Sequence, residues 1–288
     1  MANKKLKSPV NIPVSKIHPF EGNPYKVLDN DEMNNLICSI QEQGILNPII
    51  IRPIENTDEY EVISGHRRLH ATVKAGMKEV PAFIYAVTRD EAAIMLVDSN
   101  LHREHILPSE RAFAYKLKAE ALKHQGKRSD LTSVQVAPKL ATEQIGVTES
   151  ISKDTVKRYI RLTYLIPELL DLVDEEKIAL TPAVELSYLS DEEQYSLLGT
   201  IEEEDRTPSL SQAVRFKKLS QAGELSDESI ETIMQEDKAN QKPMFKVSME
   251  RLQKVAPKVK DKDFEDFVLK ACEHYYRYLQ RQRNRDAR

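Results

Sequence analysis

The sequence predicts an α+β N-terminal domain, a small mixed sheet with helices, followed by an all-α domain with a helix-turn-helix and a C-terminal amphipathic helix. Three observations carry this. Between residues 29 and 87, helical and β-branched runs alternate as helix, strand, strand, helix, strand, the order of a compact α+β unit. From Arg89 onward the apolar residues recur at helical spacing. From Phe264 to Leu279 the apolar positions Phe264, Phe267, Val268, Ala271, Cys272, Tyr275, Tyr276 and Leu279 form one stripe, which runs into the basic tail RQRNRDAR.

Taken in order, residues 1–12 read as a flexible tail. Pro9, Pro13, Pro19 and Pro24 punctuate the start, and VNIPVSKI alternates like a single strand. Asp29 to Gly44 has Met33, Leu36, Ile37 and Ile40 on one face and a glycine stop, a helix. Asn47–Pro53, Tyr60–Ile63 and Val80–Val87 are strands, and a helix lies between Gly65 and Gly76. With the helix Arg89–Asn100 these make one domain over 13–106. A helical domain over 107–220 opens at Pro108-Ser109-Glu110, with Ser109 as cap. Gly126–Thr132 reads as a polar basic loop, and 133–206 as short helices broken by Gly146, Pro167 and Pro182. The acidic run Glu202–Asp205 reads as a solvated turn. Residues 221–242, polar and weakly helical, read as a linker, and 243–288 as a helical segment suited to dimerisation.

The chain has 288 residues, 40% of them hydrophobic and 6% aromatic, with no Trp, so small aliphatic cores are expected. Its net charge of −4 leaves nucleic-acid binding to local charge. Cys38 and Cys272 follow no metal or disulfide spacing, and no run approaches a membrane span, so a cytoplasmic setting is expected.

Three constellations could carry chemistry. In YEVISGHRRLHATVKAG an apolar run ends at Ser64-Gly65, and a helix starts with His66, Arg67 and Arg68. Cations at a helix N-terminus are unfavourable unless an anion sits beside them, and the first N–H groups point at such an anion. The stretch reads as a phosphate cradle. In DSNLHREHILPSER, Asn100 and Arg103 lie one helical turn apart and suit a hydrated Mg²⁺ and a phosphate oxygen. In SVQVAPKLATEQIGVTESISKDTVKRYIRLTYL, Val134, Val136, Leu140 and Ile145 mark one helix. Ser152 then caps a second helix, with Val156, Ile160 and Leu162 inward. Ser152, Lys153, Thr155, Lys157, Arg158 and Arg161 form its outer and leading face, as in a recognition helix over 133–165. The histidine pairs His66/His70 and His102/His105 have no third ligand of metal-site character.

The order GILNPIIIRP, SGHRRLHA, SNLHREHILPSERA, then helix-turn-helix resembles the ParB family of plasmid and chromosome partition proteins, closest to its mobile-element branch. The resemblance covers about Val14 to Leu189. It implies a CTP-binding domain, with the phosphate box at Gly65, His66, Arg67 and Arg68. A second box at Ser99, Asn100 and Arg103 would hold triphosphate and Mg²⁺, Asn100 acting on the metal through the nucleotide. The first box places Asn47, Pro48 and Arg52 near the nucleotide. It also implies a homodimer on a palindromic double-stranded DNA site, closing as a clamp, a ParA-type ATPase as partner, and a nucleoid- or plasmid-associated location.

Two departures matter. His66 and Ser99 replace glutamates of the family pattern, which removes carboxylates from a site that must orient water and Mg²⁺. CTP hydrolysis is therefore expected to be slow at most. His66, beside a triphosphate, is expected to act as a protonated phosphate clamp. The alternative reading is a transcriptional regulator of a mobile element with a vestigial nucleotide site.

Overall fold

The computed structural model describes residues 8–103, 105–129, 137–236, 253–256, 259 and 264–286. The chain divides into two compact units, Met1–Glu236 and Asp237–Arg288.

The first unit opens with β1 (Val10–Pro13) and β2 (Ile17–His18), joined by a 3-10 turn. Next come α1 (Asp31–Gln43), β3 (Ile49–Pro53), β4 (Tyr60–Ser64), α2 (His66–Lys74) and β5 (Glu79–Ile84). The sheet order is β1-β5-β3-β4-β2. Pairs β1–β5 and β3–β4 are antiparallel, while β3–β5 and β2–β4 are parallel, so the sheet is mixed. Two expectations at the start are corrected. Val10–Ile12 belong to β1, inside the span expected to be a tail, and VNIPVSKI makes two strands instead of one. Ile12 is buried on the sheet, and β1 is an edge strand, the place in a sheet that tolerates Pro13.

Alternation along the strands sorts the side chains between two faces. Ile49, Ile51 and Val62 pack with Leu69 of α2, while Ile63 and Ile50 face the cluster built on α3 (Arg89–Asn100). Arg52 and Glu61 share the parity of Ile50 and Ile63 and are cross-strand partners, so both are driven into the interior together.

The helical region comprises α4 (Pro108–Ser129), α5 (Ala137–Thr148), α6 (Lys153–Leu162), α7 (Pro167–Asp174) and α8 (Leu180–Leu186). After these come α9 (Asp191–Glu204), α10 (Leu210–Ala222) and α11 (Asp227–Gln235). At 22 residues, α4 spans about 33 Å at 1.5 Å per residue. One buried cluster runs from Ile63 through Leu96 and Val97 of α3, Ala114 and Tyr115 of α4, to Ile145 of α5 and Val156 of α6. Residues 106 and 107 thus lie between helices that share a core.

Several boundaries depart from expectation. Residues 126–129 continue α4, because one internal Gly costs a helix only about 1 kcal/mol; Val134 and Val136 lie outside the described residues. Ser109 does not cap α4. Its Oγ donates to Asp174 Oδ2 at 2.5 Å and its N–H to Oδ1 at 2.8 Å, which ties α4 to α7. Pro182 sits in the first turn of α8, where a missing N–H is harmless. Glu202–Glu204 end α9, and Asp205 closes it with φ of 47°. The expected linker over 221–242 contains α11, whose Ile230, Ile233 and Met234 are buried with Phe216 of α10. Charged residues around that short stripe masked it in the sequence.

In the second unit, α12 (Phe264–Asp286) is a 23-residue helix. Tyr275 stacks on Tyr278 with ring centroids 6.3 Å apart, and Lys270–Asp266 forms an i,i+4 pair. Its Phe267, Tyr275, Tyr276 and Leu279 are exposed.

Candidate anion cleft and nucleic-acid interface

The junction of β4 and α2 is built on Gly65. Its φ is 104°, and a Cβ there would lie 2.7 Å from Ile49 Cγ2 and 3.1 Å from Arg68 Nη2, so only glycine fits without displacement. α2 has no side-chain cap. Its first turn lines a cleft of about 540 Å³ with Ser64, Gly65, His66, Arg67, Arg68, Ser99, Asn100 and Arg103, together with Glu32, Asn35 and Leu36 of α1. The three arginines of the two sequence boxes thus converge on one helix N-terminus.

The arginines are not left unbalanced, as the sequence suggested. Arg68 Nη1 donates to the carbonyl oxygens of Asn47 and Pro48, the latter at 2.8 Å. Burial lowers the Arg68 pKa from its usual value. Arg67 Nη2 meets Glu32 Oε2 at 3.0 Å. Asn47 and Pro48 therefore act through their carbonyls, as anchors of Arg68. The glutamate counter-ion comes from a different helix and had no local signature. Arg103 lies just past the end of α3, its N–H on Asn100 O at 3.1 Å and its guanidinium 5.7 Å from the Tyr25 ring centroid. α3 ends at Asn100 as expected, and the turn after it keeps Arg103 beside Asn100.

Two expected site residues have other work. Arg52 does not reach the cleft. Its Nε meets Glu61 Oε2 at 2.8 Å, and both side chains are 7% exposed. Glu61 Oε1 also accepts from Glu21 N–H at 3.1 Å. Arg52 is the structural half of a buried pair. The protein's own groups hold His66 neutral. Its Nε2 accepts from Phe20 N–H at 3.3 Å, and its pKa is pushed down to about 4, first by burial and then by the Arg103 charge. Accepting at Nε2 requires the neutral tautomer with its proton on Nδ1, a donor.

For a metal, Asn100 is buried, and its amide nitrogen donates to Leu96 O at 2.7 Å and to Ser99 Oγ at 3.2 Å, which leaves its oxygen as the available ligand. Ser99 Oγ itself donates to Leu96 O. One amide oxygen suits a Mg²⁺ that keeps most of its waters and takes other oxygens from phosphate. Among the described residues no His, Cys, Asp and Glu cluster could hold a metal by itself.

The helix-turn-helix is α5, a turn at Glu149–Ser150, and α6. Gly146 does not break α5. It lies inside it, and a Cβ there would meet Ile151 O at 2.8 Å, so the glycine lets the turn close on the helix. Ser150 takes the left-handed conformation with φ of 56°. Ser152 caps α6 by accepting from Thr155 N–H at 3.0 Å. Val156 and Leu162 are buried. Lys153 and Lys157 project outward, 51% and 52% exposed, pairing with Glu143 at 2.9 Å and Asp154 at 3.3 Å. Arg158 donates to Thr181 Oγ1 at 2.6 Å. Arg161 departs from the expected outer face. It donates to Ser187 O at 2.6 Å and lies 4.0 Å from the Tyr188 and 4.5 Å from the Tyr164 ring centroid. That arginine joins α6 to α8.

Residues 2–101 match the ParB N-terminal domain family. The chain is 31% identical to the chromosome-partitioning protein Spo0J of Thermus thermophilus over 206 residues, 72% of this chain and 70% of that one. It is 30% identical to the nucleoid occlusion protein of Listeria innocua, over 67% of this chain and 63%, under two thirds, of that one. Solved structures of the Caulobacter crescentus chromosome-partitioning protein ParB are also similar. The complex with the centromeric parS site has TM-score 0.40 at 20% identity, covering 78% of this chain and 98% of that one. The complex with CTP-gamma-S has TM-score 0.31 at 23% identity, covering 67% and 98%. No helix among the described residues is long and apolar enough to cross a membrane. Two sequence boxes meet at one glycine-built cleft, a helix-turn-helix follows, and identity extends over seven tenths of a partitioning relative: the chain belongs to the ParB family of partition proteins.

Proposed function

We propose that this protein binds double-stranded DNA at a palindromic site as a homodimer, and that CTP with Mg²⁺ in the N-terminal cleft controls its hold on the DNA during segregation of a replicon, with a ParA-type ATPase as partner. One observation carries the nucleotide part. Arg67, Arg68 and Arg103 converge on the uncapped N-terminus of α2, where a polyphosphate gains both charge and N–H donors. That chemistry asks for a polyphosphate; the cytidine follows from the family. Asn47 and Pro48 serve as backbone anchors, Ser64 and Gly65 as the cradle, and His66 as a neutral Nδ1–H donor. Asn100 would reach Mg²⁺ through the nucleotide. The DNA part rests on the exposed start of α6, with Ser152, Lys153, Thr155 and Lys157 toward the groove and Arg158 behind them.

Titration calorimetry with each of the four ribonucleoside triphosphates, with and without Mg²⁺, tests this. CTP binding that exceeds the other three and strengthens with Mg²⁺ is expected. Absence of binding by any of them would overturn the nucleotide part. It would select the second reading, a DNA-binding regulator with a vestigial cleft. One observation favours that reading: Glu32 already pairs with Arg67, and two carbonyls already take hydrogen bonds from Arg68.

A further inference from the structure

Lys118 stands in α4 and is 3% exposed, so its ammonium is almost wholly removed from water. Its Nζ lies 2.5 Å from Asp98 Oδ1 and 3.6 Å from Glu149 Oε1. Asp98 is on α3, directly before Ser99 and Asn100 of the cleft. Glu149 begins the turn between α5 and α6, its N–H closing on Ile145 O at 2.9 Å. A single buried cation therefore joins the helix that rims the cleft to the turn that aims the recognition helix.

Its two partners are held unequally. Asp98 accepts a full charge-assisted hydrogen bond while 45% exposed. Glu149 is 8% exposed, and its Oε1 is the buried side-chain oxygen or nitrogen without a hydrogen-bond partner among the described residues. The more buried carboxylate, which water can least compensate, is thus the one left short. Its separation from Nζ exceeds a charge-assisted hydrogen bond of about 2.8 Å by less than 1 Å. A small displacement of α3 relative to α4 would pass the ammonium from one carboxylate to the other. An ammonium that could occupy either position would be a two-position element with one end at each site, the physical requirement for coupling.

We infer that Lys118 is a shared counter-ion through which occupancy of the cleft and occupancy of the helix-turn-helix alter each other's affinity. The inference rests on the nucleotide reading above. Loss of Asp98 as a partner favours the Glu149 position, and reciprocity requires DNA to change nucleotide affinity by the factor that nucleotide changes DNA affinity.

The test uses the full chain and the duplex that it enriches from a random-sequence pool. Anisotropy gives duplex affinity with and without CTP and Mg²⁺, and calorimetry gives CTP affinity with and without duplex. The native protein should show the same coupling factor from both directions, about fivefold or more. Glu149→Gln keeps the shape and removes the second charge. It should leave each separate affinity within about twofold and shrink the coupling to about twofold or less. Lys118→Met with Glu149→Leu, an apolar replacement of the pair, should do the same and covers the case that Glu149→Gln fails to fold. Coupling retained in either variant, or absent from the native protein while both ligands bind, would overturn the inference. Loss of a separate affinity would make Glu149 merely structural and overturn it too. A native chain that binds no CTP would instead bring down the nucleotide reading, and this inference with it, a result visible in calorimetry alone.

Discussion

α2 and α6 are short helices of nine and ten residues, and they hold their cations in opposite ways. α2 starts from a glycine with no side-chain cap, and Arg68 is folded back onto backbone carbonyls of the loop before β3. α6 starts from a capping serine, and Lys153 and Lys157 project into solvent against carboxylates on the same or the adjacent helix. The difference teaches what each site is built to recognise. In the cleft the fold has fixed the donors, so little ordering remains for a ligand to impose, and geometry can select one anion. On α6 the ion pairs are exposed, worth about 0–1 kcal/mol each, and exchange readily for phosphates along a backbone.

The largest test of this contrast removes an arginine that belongs to neither class. Arg52→Ala or Glu61→Ala strands one charge of a buried pair and should cost about 3–5 kcal/mol of stability in urea unfolding. If Arg52→Ala unfolds at the native midpoint, the pair is not structural and Arg52 returns to the list of ligand groups.

The next concerns pH. The folded-state pKa of His66 is depressed to about 4 from 6.5 by burial, so the folded protein resists protonation more than the unfolded chain does. Its contribution is full above pH 6.5 and is lost as pH falls through about 4, on the order of 2–3 kcal/mol. The melting temperature should drop over that window, and His66→Gln should flatten the drop. α6 contains no histidine, so this term belongs to the cleft alone. A melting curve that ignores pH between 6.5 and 4 in the native protein would show that His66 is solvated.

Within the cleft, Arg68→Ala should weaken CTP binding by about 1.5–3 kcal/mol, the scale of a charged hydrogen bond. Arg67→Ala should cost less, because Glu32 already draws on that charge. Glu32→Gln should tighten CTP binding by freeing Arg67. Calorimetric affinities that rank these variants in the reverse order would break the picture of a preset cleft.

The smallest effects are expected on α6. Lys153→Ala and Lys157→Ala should each lower the salt slope of DNA binding by about one unit without altering stability. Arg161→Ala should do the opposite, destabilising the α6–α8 contact while leaving the slope nearly unchanged. Equal salt slopes in native and lysine variants would exclude this face from DNA.

Much of the plan was legible in the residues. The β-branched runs at Ile49–Ile51 and Tyr60–Ile63, the helix after Gly65, and the Ser152-capped helix are local signals, set by period and capping that act within a few residues. Gly146 was legible as a special position and misread in its role, because the atom that forbids a Cβ, Ile151 O, arrives only when the chain turns back. α11 was read as a weakly helical linker, not as a packed helix, because its three buried residues are few and its remaining surface is polar. Arg52 and Arg68 look alike in a sequence and differ wholly in partner, since partner choice depends on which strand lies opposite.

By itself the sequence determined most of the helices and strands of the N-terminal domain, which glycine can start α2, and which residues carry charge, because those properties depend on neighbours along the chain. Only the tertiary structure decided what each charge meets. Glu61 took Arg52, Glu32 took Arg67, Phe20 N–H fixed the tautomer of His66, and the two tyrosines enclosed Arg161. Glu32, Phe20 and Tyr188 lie far along the chain from the groups they meet, while Glu61 comes from the next strand, and burial decides how strongly each pairing counts.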